Sequence, residues 1–255
     1  MKNLYYFIFF IFLIGCGKSS PNQLPNVDIK TLTQSFMSWY VYYNKNIDLS
    51  LDFLALDTDA NQIDKKMFLE KLTRENVIAV KLTNDNTEKE TYRLFKISDE
   101  SILNTSKQEA RLELQYYEKE GMKFPDFAYT DLKGGVITSK NTVGKFVIIK
   151  VWFIKCKACV KEFPELNALT QKYSNRDKIV FVSLAYDEKE QLKDFLSKKV
   201  LNYQNAHVSS DYITEELNVQ IFPTHFIIDK NGKILKIFND AKRLAAYLEY
   251  YLPNQ

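Results

Sequence analysis

The spacing of apolar and polar positions divides the chain into a leader, a tether and two folded regions. Leu4 to Ile14 (LYYFIFFIFLI) is an unbroken apolar run of eleven residues. A helix crossing a bilayer core of about 30 Å needs about 20 residues, so the run suits a signal-peptide core rather than a membrane span. Ser19 to Asp28 (SSPNQLPNVD) is polar with two prolines and reads as a tether. In the region 29–120, Leu32, Phe36, Trp39, Tyr40 and Tyr43 recur at helical spacing and predict an amphipathic helix over Thr31–Asn44. A strand is expected at Leu51–Leu56, a helix at Ile63–Leu72, and strands at Val77–Leu82 and Tyr92–Ile97 flanking a polar turn, Asn84–Glu90. Glu100–Glu120 has few breakers and predicts a long helix.

The region 122–252 alternates strand and helix. Phe127–Thr130 and Val136-Ile137 predict a short hairpin around Gly134-Gly135. Phe146 to Phe153 (FVIIKVWF) is the near-continuous apolar run of a strand buried on both faces. A helix follows over Ala158–Tyr173, kinked at Pro164, then a buried strand at Ile179–Ala185 and a helix at Lys189–Lys198. Thr224–Ile228 and Ile234–Phe238 flank Asp229-Lys230-Asn231-Gly232 as a hairpin, and Ala241–Leu252 is a closing amphipathic helix.

Composition narrows the possibilities. With 45% apolar and 26% charged residues the chain is that of a globular protein, and a spread net charge of +3 gives no nucleic-acid footprint. Three cysteines are present: Cys16, Cys156 and Cys159. Leu13-Ile14-Gly15-Cys16 resembles a bacterial lipobox, which implies a signal peptide over 1–15 and lipidation of Cys16 at the head of the tether, 16–28. The run Asp57/Asp59/Asn61 hints at a Ca²⁺ loop but lacks the Gly and Glu such a loop requires, so a solvated turn is expected.

Cys156 and Cys159 are spaced C-x-x-C. A bridge across four residues restricts the unfolded chain little, so stapling explains the pair poorly. Zinc would need two more ligands, and the chain offers only His207 and His225, neither at the usual spacing. A redox dithiol fits the placement: Cys156 falls at the end of the buried strand and just before a helix, where unpaired N–H groups favour a thiolate. Lys155, Lys157 and Lys161 add positive charge nearby. Far along the chain, Pro223 stands directly before the strand Thr224–Asp229, a position that proline tolerates.

Three blocks together carry a family resemblance: Phe124-Pro125-Asp126-Phe127; Val151-Trp152-Phe153-Ile154-Lys155-Cys156-Lys157-Ala158-Cys159-Val160-Lys161-Glu162-Phe163-Pro164; and Phe222-Pro223-Thr224-His225-Phe226-Ile227-Ile228-Asp229. In order and spacing they resemble the membrane-anchored thioredoxin-like reductases of the TlpA and ResA type. The resemblance covers roughly the last 130 residues. It implies an α/β chain with a C-terminal thioredoxin-like fold over 121–255, a central mixed sheet flanked by helices; the pattern of helices and strands over 29–120 adds a smaller α+β domain ahead of it. The resemblance further implies a redox-active Cys156–Cys159 disulfide, with Cys156 the attacking thiolate and Cys159 the resolving thiol. Phe222 and a cis-Pro223, with Trp152, would line the substrate groove. Glu162 would be a buried acid exchanging protons with Cys159. Protein disulfides are the implied clients, a membrane thiol the electron donor, and the lipid anchor the link to a membrane facing the periplasm. No cofactor, metal or nucleic acid is expected.

The chain departs from the family at Lys155, where a Trp is usual, and at Lys157-Ala158 between the cysteines. These positions tune redox poise and leave the direction of electron flow open. His225 is expected to point away from the groove as a structural residue. Two other readings stand beside the reductase: a thiol peroxidase, against which Phe153 holds a place expected to be Thr, and a non-catalytic binding module on the same scaffold.

Overall fold

The computed structural model describes residues 24–83, 89–174 and 178–252. Its contacts divide the chain into two compact units that meet between Ala110 and Arg111.

The first unit opens with α1 (Ile29–Leu32) and α2 (Phe36–Asn46), where one helix was expected. Ser35 separates them, its hydroxyl accepting from Ser38 N–H to cap α2. Then come β1 (Leu54–Leu56), β2 (Gln62–Ile63), α3 (Lys65–Arg74), β3 (Val77–Lys81), β4 (Thr91–Lys96) and α4 (Glu100–Lys119). The strands form one sheet in the order β2-β1-β4-β3, with β1 and β4 parallel. Trp39, Phe68, Ile78 and Leu94 are fully buried in this unit. Asp57 accepts from the backbone N–H of Asp59 and Asn61, a solvated turn as expected. Most of the expected turn 84–90 lies outside the described residues, as do the leader and Cys16.

The expected boundary near Gly121 falls later than the division observed, which lies inside α4. An uninterrupted helix carries no mark of where its packing partners change. Tyr116, in its last turns, belongs to the core of the second unit.

That unit contains β5 (Ala128–Thr130), β6 (Val136–Thr138), β7 (Phe146–Trp152), α5 (Lys157–Lys161), α6 (Phe163–Lys172), β8 (Ile179–Ala185), α7 (Lys189–Lys198), β9 (Gln204–His207), a π-helical turn at Tyr212–Glu216, β10 (Thr224–Ile228), β11 (Ile234–Phe238) and α8 (Ala241–Tyr251). Five strands form a mixed sheet in the order β11-β10-β7-β8-β9. The central β7 runs parallel to β8 and antiparallel to β10, and every one of its residues is buried.

Strand alternation sorts β7 between two cores. Phe146, Ile148 and Trp152 face the cluster that holds Cys159, Phe163, Leu166 and Leu244. Val147, Ile149 and Val151 face the opposite cluster with Phe124 and Tyr129. Lys150 shares the parity of Ile148 and Trp152 and so lies on the dithiol face. On β10, Ile227 joins the first cluster while Phe226 and Ile228 join the second, which puts His225 on that same dithiol face.

Candidate active site

Cys156 follows β7 by a short loop and is the N-cap of α5. The loop is fixed by Ile154 N–H, which donates to Asp187 at 2.8 Å, and by Cys156 N–H, which donates to the Phe153 carbonyl at 3.1 Å. Cys156 and Cys159 are joined as a disulfide. The two sulfurs are not equivalent. Cys156 keeps 8% of its surface exposed and Cys159 none. Cys159 N–H also donates to Cys156 Sγ at 3.2 Å, a backbone dipole aimed at the outer sulfur that would stabilise negative charge there.

The expected continuous helix after the pair is broken into α5 and α6 at Glu162, which ends one and starts the other. Pro164 sits in the first turn of α6, where its missing N–H costs nothing, so the proline starts a new helix rather than bending an old one. The break turns the Glu162 side chain inward. Its Oε2 accepts from Lys150 Nζ at 2.6 Å and from His225 Nε2 at 3.1 Å, and its Oε1 accepts from Ala241 N–H at 2.9 Å. Lys150 and His225 are cross-strand partners on β7 and β10, both with fully buried side chains, while Glu162 is 13% exposed. The carboxylate therefore joins two strands of the sheet, the break between two helices, and the otherwise unpaired first N–H of α8.

Burial acts to raise the Glu162 carboxyl, but the hydrogen bonds from His225 and Lys150 and the Lys150 charge outweigh it and hold the group below the usual carboxylate range. Burial pushes the Lys150 ammonium down, and the charge and hydrogen bond of Glu162 recover part of that shift. His225 is held below its ordinary value, first by burial and then, against the pull of Glu162 and Asp240, by the Lys150 charge. Its neutral form donates Nε2–H to Glu162 and leaves Nδ1 as a buried lone pair without a partner. An imidazolium would bury an unpaired N–H there instead, a costlier arrangement. Tyr203, buried nearby, stays a neutral phenol because burial and then the Glu162 charge push it up.

The Phe222–Pro223 peptide is cis. The Pro223 carbonyl accepts from Asn239 Nδ2 at 2.9 Å, and the same Nδ2 reaches Thr224 Oγ1 at 3.0 Å, whose hydroxyl donates to the Ile221 carbonyl at 2.6 Å. Phe222 meets Phe153 edge-on, with ring centres 5.2 Å apart, and Phe153 stacks on Tyr186 at 5.3 Å. Phe222 is thereby joined to the loop that delivers Cys156. Trp152 does not line this groove, contrary to expectation. It has no exposed surface, packs edge-on against Phe163, and donates Nε1–H to Ser183 Oγ at 3.1 Å. Its even parity on β7 turns it under the dithiol helix, where it supports the site without reaching its surface. Among the described residues, no group of three or more His, Cys, Asp or Glu side chains is arranged to hold a metal ion.

A family model described as Redoxin matches residues 119–249, just over half of the chain. A thiol-disulfide oxidoreductase ResA of Bacillus cereus is 34% identical over 137 residues, covering 52% of this chain and 79% of that protein. The chain belongs to the redoxin family. ResA of Geobacillus kaustophilus is 31% identical to this redoxin over 117 residues, covering 46% of the chain and 67% of that protein. The thioredoxin-like protein YneN of Bacillus subtilis is 29% identical over 121 residues, covering 47% and 71%. A solved thioredoxin domain of a thiol-disulfide oxidoreductase from Bacteroides vulgatus superposes with a TM-score of 0.48 at 22% identity, covering 52% of this chain and 96% of that one. The family match and the ResA relatives make this redoxin a thioredoxin-like thiol–disulfide oxidoreductase.

The structure joins Glu162 to two residues to which the sequence assigned no role or only a structural one. Lys150 carried a usable signal: a lone charge in a strand otherwise apolar on both faces has to find a buried counter-ion. His225 was expected to point away from the groove as a structural residue; it is buried on the dithiol face of the sheet and bonds Glu162 directly. Asn239, which holds the Pro223 carbonyl, carried no signal, since its part depends on how β11 runs into α8.

Proposed function

We propose that this redoxin is an extracytoplasmic reductase of protein disulfides, working by dithiol exchange at Cys156 and Cys159. The observation that carries the proposal is the inequality of the two cysteines: Cys156 keeps 8% of its surface and its sulfur accepts a backbone N–H, whereas Cys159 has no exposed surface. In the reduced enzyme the Cys156 thiolate attacks one sulfur of a client disulfide. The client S–S bond breaks, a mixed disulfide forms, and the second client sulfur leaves as a thiolate that takes a proton. Cys159, once deprotonated, attacks Cys156 Sγ; the mixed disulfide breaks and the first client thiol is released. Two electrons pass to the client, and the enzyme is left with the Cys156–Cys159 disulfide. A membrane thiol donor then reduces that disulfide by the same exchange in reverse.

Glu162 is proposed as the buried acid one helical turn from Cys159, with Phe222 and Pro223 holding the client backbone. The apolar run Leu4–Ile14 and the sequence Gly15-Cys16 support a signal peptide over 1–15, lipidation of Cys16, a tether to residue 28 and attachment to a membrane facing the periplasm. A separate N-terminal domain then precedes the thioredoxin-like domain.

Turnover of a disulfide-bonded protein by the purified chain, with a small dithiol as donor, tests the proposal. Activity is expected from the native chain and neither from Cys156→Ser nor from Cys159→Ser. A reduction potential near about −270 mV supports a reductase, and one near about −120 mV would make the couple an oxidant and overturn the direction proposed.

A further inference from the structure

We infer that the surface beside the dithiol, on the side of α5 and α7, is a docking groove for client segments that carry acidic side chains around an apolar one. The inference rests on the dithiol-exchange reading and names the class of client that reading leaves open. A groove of about 630 Å³ lies between the start of α5, the start of α6 and the last turn of α7. Its near end is lined by chain neighbours of the redox pair, Ile154 and Lys157 on either side of Cys156 and Val160 just after Cys159, though neither cysteine lines it. Its floor is apolar, with Phe195 partly buried and Val200 58% exposed at its far end.

Its rim is cationic. Lys157, Lys161, Lys198 and Lys199 line it, and no acidic side chain does. Only Lys198 is engaged, by Asp194 one turn back on α7 at 2.8 Å. Among the described residues Lys157, Lys161 and Lys199 have no ion pair. The helix dipole explains cations at the end of α7, but it disfavours one in the first turn of α5, where Lys157 stands. Three such unpaired charges around an apolar floor repel one another and are relieved by an anionic partner. An apolar side chain seated near Val200 with carboxylates on either side meets both demands, and it leaves the client chain running toward Cys156. Neither Phe222 nor Pro223 lines this groove, so it adds contacts to those expected at the cis-proline.

Two cysteine-free fluorescent peptides test the groove without any redox step: one apolar residue flanked by Glu, and the same residue flanked by Lys. The oxidised full chain should bind the Glu-flanked peptide at least about tenfold more tightly at low salt, with the preference shrinking as salt rises. The double variant Lys161→Glu/Lys199→Glu should lose or invert it. Disulfide-containing versions of the two peptides are then assayed for turnover, where kcat/KM should show the same preference. Equal binding of both peptides by the native chain, or a preference unchanged in the double variant, overturns the groove even if both disulfides are reduced. Selective binding with no turnover of either peptide supports the groove and overturns the dithiol-exchange reading instead.

Discussion

Lys150 Nζ donates to Glu162 Oε2 at 2.6 Å, and the lysine side chain has no exposed surface. Such a charge cannot stand alone in a sheet core, whereas Glu162 keeps a little solvent and two further donors, His225 and Ala241 N–H. The two ends of the pair are thus unequal. Glu162→Ala should cost about 3–5 kcal/mol of stability, because it strands the buried ammonium. Lys150→Met should cost clearly less, since the carboxylate it leaves behind keeps some solvent and two other donors. Urea unfolding of both variants checks the order; a Lys150→Met loss as large as that of Glu162→Ala would contradict it.

The same cluster fixes a direction for pH. His225 in the folded chain lies below its ordinary value of 6.5, so the unfolded chain takes up a proton that the folded chain refuses once pH drops below about that point. Stability is therefore full above pH 6.5 and declines beneath it. Glu162 is also depressed, from 4.5, so a second decline follows as pH falls from there through its folded value. The unfolding midpoint of His225→Gln, measured from about pH 8 to about pH 4, should lose the first decline and keep a smaller second one, carried by Lys150.

Much of this site was open to reading in the sequence, and the part that was not has physical causes. The run FVIIKVWF announced β7, and the proline-marked strand announced β10, because apolar runs and proline limits are local properties. Their pairing is not local, so the Lys150–His225 juxtaposition came only with the register. Trp152 was misplaced because a motif gives adjacency along the chain and not the face of the strand. The edge strand β9 (QNAH) went unread: it lacks the β-branched run of a strand and owes its conformation to parallel pairing with β8. The division inside α4 was invisible for a similar reason, since nothing in a continuous helix records a change of neighbours.

Trp152 offers a direct check on that misplacement. Replacing it by Phe keeps a ring against Phe163 but removes the donor to Ser183 and leaves unfilled volume, a loss of about 1–3 kcal/mol. KM for a disulfide client should stay within about twofold of native. A raised KM with unchanged stability would return the ring to the groove.

Asn239 links the Pro223 carbonyl to Thr224. Asn239→Ala leaves that carbonyl without its donor and should cost about 1–3 kcal/mol. Because the groove at Pro223 loosens while the sulfurs are untouched, KM should rise more than kcat falls. Steady-state reduction of a protein disulfide separates the two, and an unchanged KM would detach Asn239 from the groove.

The central claim is that Cys156 attacks and Cys159 resolves. Mass spectrometry of single-cysteine variants mixed with a disulfide-bonded client reads this most directly. Reduced Cys159→Ser should accumulate a covalent adduct through Cys156, because the sulfur that would release the client is gone. Cys156→Ser should give none, since its remaining thiol is sealed in the core. An adduct forming equally fast on Cys159, or none forming on Cys156, would contradict the account.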